Sequence, residues 1–415
     1  MHNLSVAARL ATLKEEVTAE IAPFLARVDK TAEENTAKVL GAMKEKRVAA
    51  SHFGVSTGYA YDDIGRTKLE EVYAAVFRGE SALVRTQFVS GTHALAAVLF
   101  GILRPGDELV SVTGAPYDTM QTVIGYGRPA CGSLKEFGVL YRELPVKGNS
   151  VDWDGLAHFI GGKTKVALIQ RSCGYSSRES LSVDDIGRIT EMIHRQNPAC
   201  VCFVDNCYGE FTQTREPTEV GADIMAGSLI KNPGGGLAPA GGYVVGRSDL
   251  VELTAYRLTA PGMGGELGAS LVSNRLLFQG LFTAPHTVAQ ALKTAVFAAG
   301  IFSRLGYVTR PMPHAPRHDI IQAVELGTAA KVVAFCRAVQ AASPVDSFAA
   351  PEGWDMPGYA DKVIMAAGTF VQGSTAEFSA DGPLREPYTV FMQGALTFEH
   401  GMLGVMSAAA AVMTD

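Results

Sequence analysis

Val201-Cys-Phe-Val-Asp205 and Ile224-Met-Ala-Gly-Ser-Leu-Ile-Lys231 decide how this 415-residue chain folds. Each is a short run, apolar almost throughout, that stops on a charged residue. A strand exposed on one face would alternate apolar and polar positions. Runs without alternation mark strands buried on both faces, as in a parallel or mostly parallel sheet. Seven strand candidates occur, most of them apolar along their whole length, at residues 82–89, 108–112, 139–144, 166–170, 200–205, 224–229 and 242–245. Helical stretches lie between them and would cover the two faces of the sheet. One spans 92–103 and is stopped by Pro105-Gly106; another spans 184–196, with Ser182 as its N-cap.

Outward from this core the rhythm changes. Residues from about 5 to 48 read as helix, with a break expected at Ala22-Pro23, and a Gly- and Tyr-rich loop follows, Phe53-Gly-Val-Ser-Thr-Gly-Tyr-Ala-Tyr-Asp-Asp-Ile-Gly65. After about residue 285 comes a helix at 287–305, then a Pro/His-rich link, Pro311-Met-Pro-His-Ala-Pro316, and a smaller α+β unit. The expected organisation is a helical arm over 1–50, a large α/β domain over 51–285 and a small domain over 286–415.

Open α/β sheets bind ligands at the carboxyl ends of their strands. Four polar features fall there. Ser90-Gly-Thr-His93 follows the first run and opens a helix. Small residues and free amides suit a phosphate, although a plain strand-to-helix turn uses the same residues. Asp205 closes an apolar run, which is costly unless the carboxylate meets a cation or caps a turn. Lys231 also follows a buried run; desolvation would lower its pKa and make it a competent amine, whereas an ordinary loop lysine is the alternative. Ser228, three residues earlier, is a further phosphate partner. Tyr117, in Gly114-Ala-Pro-Tyr-Asp-Thr119, can stack on an aromatic ring or simply cap the sheet edge. Gly234–Gly236 follows the lysine instead of preceding it, so the nucleotide P-loop order is absent. In that order, a phosphate turn, a stacking Tyr, an end-of-strand Asp and an end-of-strand Lys suit pyridoxal phosphate held as a Schiff base on Lys231, with Asp205 keeping the pyridine nitrogen charged.

The totals agree with a folded enzyme: 47% apolar residues, 19% charged residues and a net charge of −6. No Lys/Arg block of five occurs, so neither nucleic acid nor an anionic membrane is an expected partner. Six cysteines are too sparse for a disulfide scaffold. Cys200 and Cys202 share one strand face and read as small core side chains, so no metal is expected. The N-terminus lacks the apolar segment of a signal peptide, and the apolar run at 404–413 is about half a membrane span. A cytoplasmic location is the resulting expectation.

Taken together, Ser56-Thr-Gly-Tyr-Ala-Tyr-Asp-Asp-Ile-Gly-Arg66, Val89-Ser-Gly-Thr-His-Ala94, Thr113-Gly-Ala-Pro-Tyr-Asp-Thr119, Gln170-Arg-Ser-Cys-Gly-Tyr175, Phe203-Val-Asp-Asn-Cys-Tyr-Gly-Glu-Phe211, Gly227-Ser-Leu-Ile-Lys-Asn-Pro-Gly-Gly-Gly236 and Phe378-Ser-Ala-Asp-Gly-Pro-Leu-Arg-Glu-Pro-Tyr388 resemble the fold-type-I pyridoxal-phosphate enzymes. More narrowly, they resemble the cystathionine/methionine γ-lyase relatives labelled aluminium-resistance proteins. The resemblance implies a mostly parallel seven-stranded sheet sandwiched by helices, with a smaller α+β C-terminal domain. It also implies a homodimer or homotetramer whose active sites are shared between subunits. Tyr59 or Tyr61, with Arg66, would then reach the neighbour's cofactor phosphate. The expected cofactor set is Ser90, Gly91, Thr92, His93, Tyr117, Asp205, Ser228 and Lys231, with Lys231, Tyr117 and Asp205 taking part in the reaction.

An arginine should clamp the substrate's α-carboxylate: Arg385 first, then Arg171 or Arg178. The implied activity is elimination of a γ or β substituent, a thiol above all, from a small amino acid such as methionine, cystathionine or cysteine. A replacement synthase, an aminotransferase, a γ-lyase for a halogenated amino acid and a non-catalytic regulator are the alternatives. The chain departs from the transsulfuration pattern in having Tyr-Asp-Asp-Ile-Gly-Arg at the cross-subunit loop and Ile230 before the lysine, and the carboxylate-binding arginine is out of its usual context. The substrate side chain is therefore left open.

Overall fold

The computed structural model describes residues 6–127, 130–176, 178–356, 359 and 361–414. Seven strands, β1 (Ser81–Arg85), β2 (Glu108–Ser111), β3 (Leu140–Glu143), β4 (Thr164–Gln170), β5 (Val201–Asp205), β6 (Ile224–Ser228) and β7 (Gly242–Gly246), form one sheet in the order β1-β7-β6-β5-β4-β2-β3. Strands β2 to β6 are parallel, and β7 runs against both of its neighbours, β6 and β1. All seven coincide with the strand candidates of the sequence. The unbroken hydrophobicity has a direct cause. β5 sends Cys202 and Val204 into one core and Val201 and Phe203 into the other.

The helices are α1 (Val6–Glu45), α2 (Ile64–Val76), α3 (Gly91–Ile102), α4 (Asp118–Ile124), α5 (Trp153–Leu156), α6 (Val183–Gln196), α7 (Ser248–Leu258), α8 (Asn274–Arg304), α9 (Ala329–Ala341) and α10 (Phe398–Thr414). α3 and α7 supply one core, through Leu95, Val98 and Leu250. α2 and α6 supply the other, through Leu69, Ile186 and Ile189. Ser182 caps α6 as expected, accepting from the Asp185 amide while the Asp185 carboxylate accepts from the Ser182 amide.

The structure corrects three details. β1 ends at Arg85, not at Val89. Its partner β7 begins at Gly242, opposite Arg85, so the pairing stops there, and Val89 lies outside the sheet at 82% exposure. No break occurs at Pro23: α1 runs through it. Proline removes one hydrogen bond, and packing holds the helix straight on, because Val17 and Ile21 are fully buried against the α8 side chains Val296, Phe297 and Ile301. α8 itself begins at Asn274, well before residue 287, and passes through Pro285 without interruption.

Five antiparallel strands complete the chain: β8 (Val308–Arg310), β9 (Gln322–Glu325), β10 (Val363–Ala366), β11 (Ser379–Pro383) and β12 (Thr389–Gln393), in the order β10-β11-β12-β9-β8. One face packs on α9, α10 and the end of α8. The other face presents Ile321, Ala323 and Phe391 to Cys173, Tyr175 and Tyr208 of the large unit. Ala380 points into the α9 side, so strand alternation turns its neighbour Asp381 toward the cleft between the two sheets. Among the described residues, no helix is long and apolar enough to cross a membrane.

Candidate active site

The cleft lies at the carboxyl ends of β4, β5 and β6. Register places Gln170 opposite Asp205, and Asp205 opposite Ala226, five residues before Lys231. The adjacency of β5 and β6 is therefore what brings the carboxylate and the amine to one place. Asp205 is 8% exposed and accepts from the Cys207 amide at 3.1 Å. Burial pushes its carboxyl pKa up, and the Lys231 charge opposes that rise. Lys231 Nζ stands 3.9 Å from the centre of the Tyr208 ring. Desolvation alone would lower the lysine's pKa, as its place after an apolar run predicts. Desolvation does act downward, yet Cys207, Tyr208 and Asp205 outweigh it, and the pKa is raised.

At the opposite rim, Ser90 caps α3 by accepting from the His93 amide at 3.1 Å. That leaves the amides of Gly91 and Thr92 at a helix start, where an anion is favoured. A Cβ at Gly91 would lie 3.0 Å from Ser228 Cβ and 3.6 Å from Cys207 Sγ, so the glycine keeps open a cradle between the helix start and the end of β6. The Thr92 hydroxyl pairs with that of Thr119 at 2.9 Å. His93 points back into the turn: Nδ1 accepts from the Val89 amide at 3.2 Å and the ring meets Phe88 edge-on.

Tyr117 stands at the start of α4, its amide donating to Gln170 Oε1 at 2.7 Å. Gly174, with φ +58, lets the chain pass behind the ring, where a Cβ would come 3.3 Å from Tyr117 Cδ2. The Tyr117 hydroxyl bonds that of Tyr359 at 2.7 Å, and burial, reinforced by the neighbouring tyrosines and Asp381, drives its pKa well above the ordinary value.

These residues fit pyridoxal phosphate. A serine–glycine cradle with free amides suits the phosphate. A buried acid that lacks a fixed side-chain cation suits the ring nitrogen, a tyrosine suits the ring face, and a lysine suits the aldehyde.

Several cleft residues escaped the sequence reading. Tyr208 adopts φ 71, a costly conformation for a bulky residue, and this turns its ring under Lys231. Its position three residues after an end-of-strand acid was the available signal. Tyr175 stacks tilted on Tyr117 at 5.4 Å, and its buried hydroxyl faces Tyr117 and Asp381. Asp381 is held by Gln393 Nε2 at 3.1 Å, its pKa raised by burial against the opposing pull of Gln393, Tyr175 and Lys231. Nothing local marks it, because Ser379–Pro383 reads as a turn until the sheet is assembled.

The arginines separate clearly. Arg171 is fully buried and committed to Asn206 at 2.8 Å, Glu216 at 3.4 Å and Thr212 at 3.2 Å. Arg178 is spent on the carbonyls of Gln170, Ser172 and Glu179. Arg178 braces the backbone beneath the site, and Arg171 is locked among buried side chains, already paired with the Glu216 carboxylate. Arg385 is half-exposed on a cleft also lined by Tyr175, Arg310 and Phe391, and pairs with Asp361 at 2.8 Å. Arg66 is likewise not free to reach outward: its guanidinium donates to the carbonyls of Ala60 and Gly268 at 2.8 Å and Glu266 at 3.1 Å. It braces the loop that displays Tyr59 and Tyr61, which are 71% and 57% exposed.

The sequence profile of the methionine gamma-lyase family matches residues 10–413. The uncharacterized protein YnbB of Bacillus subtilis (strain 168) is 49% identical over 96% of this chain and 95% of its own. The crystal structure of a carbon-sulfur lyase involved in aluminium resistance from Clostridium novyi NT superimposes with a TM-score of 0.93 at 46% identity, covering 97% of this chain and 95% of that one. An L-methionine gamma-lyase of Pseudomonas deceptionensis is 28% identical over 55% of this chain and 53% of its own.

Proposed function

Because the chain belongs to the methionine gamma-lyase family, with pyridoxal 5'-phosphate as cofactor, we propose that it eliminates a thiol from Cγ or Cβ of an L-amino acid such as methionine, cystathionine or cysteine. The observation that carries the reading is the meeting of Lys231 and Asp205 at the ends of adjacent strands, beside the Gly91–Ser228 cradle.

In this reading Ser90, Gly91, Thr92 and Ser228 hold the cofactor phosphate, Asp205 its ring nitrogen and Tyr117 its ring face, with Lys231 as the anchoring amine. When bound, the cofactor supplies an electron sink for the pair released at the substrate's Cα. Arg385 turns from Asp361 to grip the substrate carboxylate. Lys231 Nζ takes the Cα proton and, where the leaving group is on Cγ, a Cβ proton as well. As the carbon–sulfur bond breaks, the electron pair leaves with sulfur, and Tyr117 donates its hydroxyl proton to the departing thiolate. The raised Tyr117 pKa keeps that proton in place at neutral pH. The small sheet, through Phe391 and Ala323, packs an apolar wall against Tyr175 and Tyr208 beside the lysine. Work inside the cytoplasm, as a homodimer or homotetramer, belongs to the same proposal.

A panel of thioether and γ-halo amino acids, read by ammonia release and keto-acid mass, tests it. Ammonia together with a keto acid that has lost its substituent is expected. A keto acid that retains the substituent would make the protein an aminotransferase. A chain that stays colourless with added pyridoxal phosphate would be no enzyme of this kind.

A further inference from the structure

At the far end of the large sheet, away from the cleft, three side chains converge. His194 comes from the last turn of α6, Cys202 from β5, and Asp223 from the residue before β6. His194 Nε2 is 3.2 Å from Asp223 Oδ2 and 3.5 Å from Cys202 Sγ. All three candidate ligand atoms lie within 4.8 Å of one another, and among the described residues no other group of histidine, cysteine and carboxylate does so. We infer that His194, Cys202 and Asp223 form a zinc-binding site.

The spacing is the first argument. Tetrahedral zinc with bonds of about 2.0–2.1 Å to nitrogen and oxygen and about 2.3 Å to sulfur sets its ligands roughly 3.3 Å (N to O) and 3.6 Å (N to S) apart. The observed separations of 3.2 and 3.5 Å match the two edges that meet at the imidazole, and the sulfur and the carboxylate oxygen lie within 4.8 Å of each other. One imidazole nitrogen can share a single hydrogen between the thiol and the carboxylate only poorly, whereas one cation serves all three. The second argument is the outer ring of contacts. Asp223 Oδ2 accepts from the Cys202 amide at 2.8 Å, and Oδ1 pairs with Arg247 at 3.2 Å. Metal-binding carboxylates are oriented by such partners, and the guanidinium takes the oxygen that faces away from the histidine.

Access is the third argument. Cys202 is fully buried, but the His194 side chain is 33% exposed at a cleft formed by Gly187, Thr190, Glu191, Arg195 and Val220. The Asp223 side chain is 13% exposed, so the cluster meets solvent through His194 and Asp223. Thiolate, carboxylate and imidazole together balance the ion's double charge, and their mixed softness suits zinc over magnesium or calcium. The cysteine pattern alone pointed to Cys200 and Cys202 as plain core side chains. Cys200 remains one, and Cys202 acquires partners only when α6 is laid across β5.

The purified holoenzyme, dialysed against micromolar zinc and then against buffer, tests the inference. One zinc per chain is expected to remain, and X-ray absorption at the zinc edge is expected to report one sulfur among nitrogen and oxygen neighbours. Cys202→Ser and His194→Ala should each lose the metal, while Cys131→Ser, which removes the exposed thiol, should keep it. Retention of no zinc, coordination without sulfur or with two sulfurs, or metal unchanged in both site variants would overturn the site. The absorption spectrum of the unsubstituted protein decides the matter even where a variant fails to fold.

Discussion

Lys231 stands where three groups raise its pKa against the pull of burial, and Asp205 is the one carboxylate among them. Removing either charge has distinct consequences. Lys231→Ala is expected to abolish borohydride trapping of a pyridoxyl group on the chain, as read by peptide mass spectrometry. Asp205→Asn keeps the shape of the site and removes the charge, so kcat/KM should fall by roughly 10²–10³-fold, the range for loss of a preorganised electrostatic partner. Gly91→Ala would place a methyl 3.0 Å from Ser228 Cβ. Its expected effect is a cofactor Kd weakened by about tenfold or more, measured by equilibrium titration. Glu210 gives a pH signature. It is buried, accepts from the Tyr243 hydroxyl at 2.7 Å, and burial pushes its pKa up to about 8 from 4.5. The unfolded chain loses this proton first, so the folded state holds more protons between those values and stability falls as pH rises through the interval. Glu210→Gln should therefore flatten the decline of the urea midpoint between pH 5 and roughly pH 8.

At the scale of elements, the long contact between α1 and α8 is set by one small residue. A Cβ on Gly300 would meet Val17 Cγ1 at 2.5 Å. Gly300→Ala is expected to cost about 1–3 kcal/mol in urea unfolding, and adding Val17→Ala should recover part of it. The same contact explains what could and could not be read from sequence. The central strands were legible because a strand buried on both faces carries its signature in its own residues, as Val201-Cys-Phe-Val204 does, whereas the exposed edge strand Leu140–Glu143 lacks it. The uninterrupted passage of α1 through Pro23 was not, since the support comes from Val296 and Phe297 far along the chain. Lys231 and Asp205 were legible as chargeable ends of apolar runs, and strand order then joined them. Asp381 and Tyr175 were illegible for the converse reason: their position depends on how the five-stranded sheet faces the large one. Arg66 and Arg171 carried a charge that sequence could only guess to be free, and backbone carbonyls and buried acids turn out to consume it.

For the whole molecule, the exposed loop carrying Tyr59 and Tyr61 is the feature that a lone chain leaves unpaired. If those tyrosines complete a neighbour's site, mixing two inactive proteins, Lys231→Ala and a Tyr59→Ala, Tyr61→Ala double variant, should restore activity after subunit exchange. Each mixed dimer would carry one site with neither change. Absence of recovery, with exchange verified by native mass spectrometry, would place the whole site within one subunit.

α8 has a consequence of its own. Leu277, Leu281 and Leu292 belong to the core beneath the large sheet, and Val296, Phe297 and Ile301 to the core beneath the small one. The large unit keeps the α3–α7 core to itself, but its other core and the core of the small sheet both lean on this 31-residue rod. Loss of one half would strip apolar surface from the spine of the other, and the two are expected to give way to heat together. A scanning calorimeter should record one endotherm where two units hung on a flexible tether would give two.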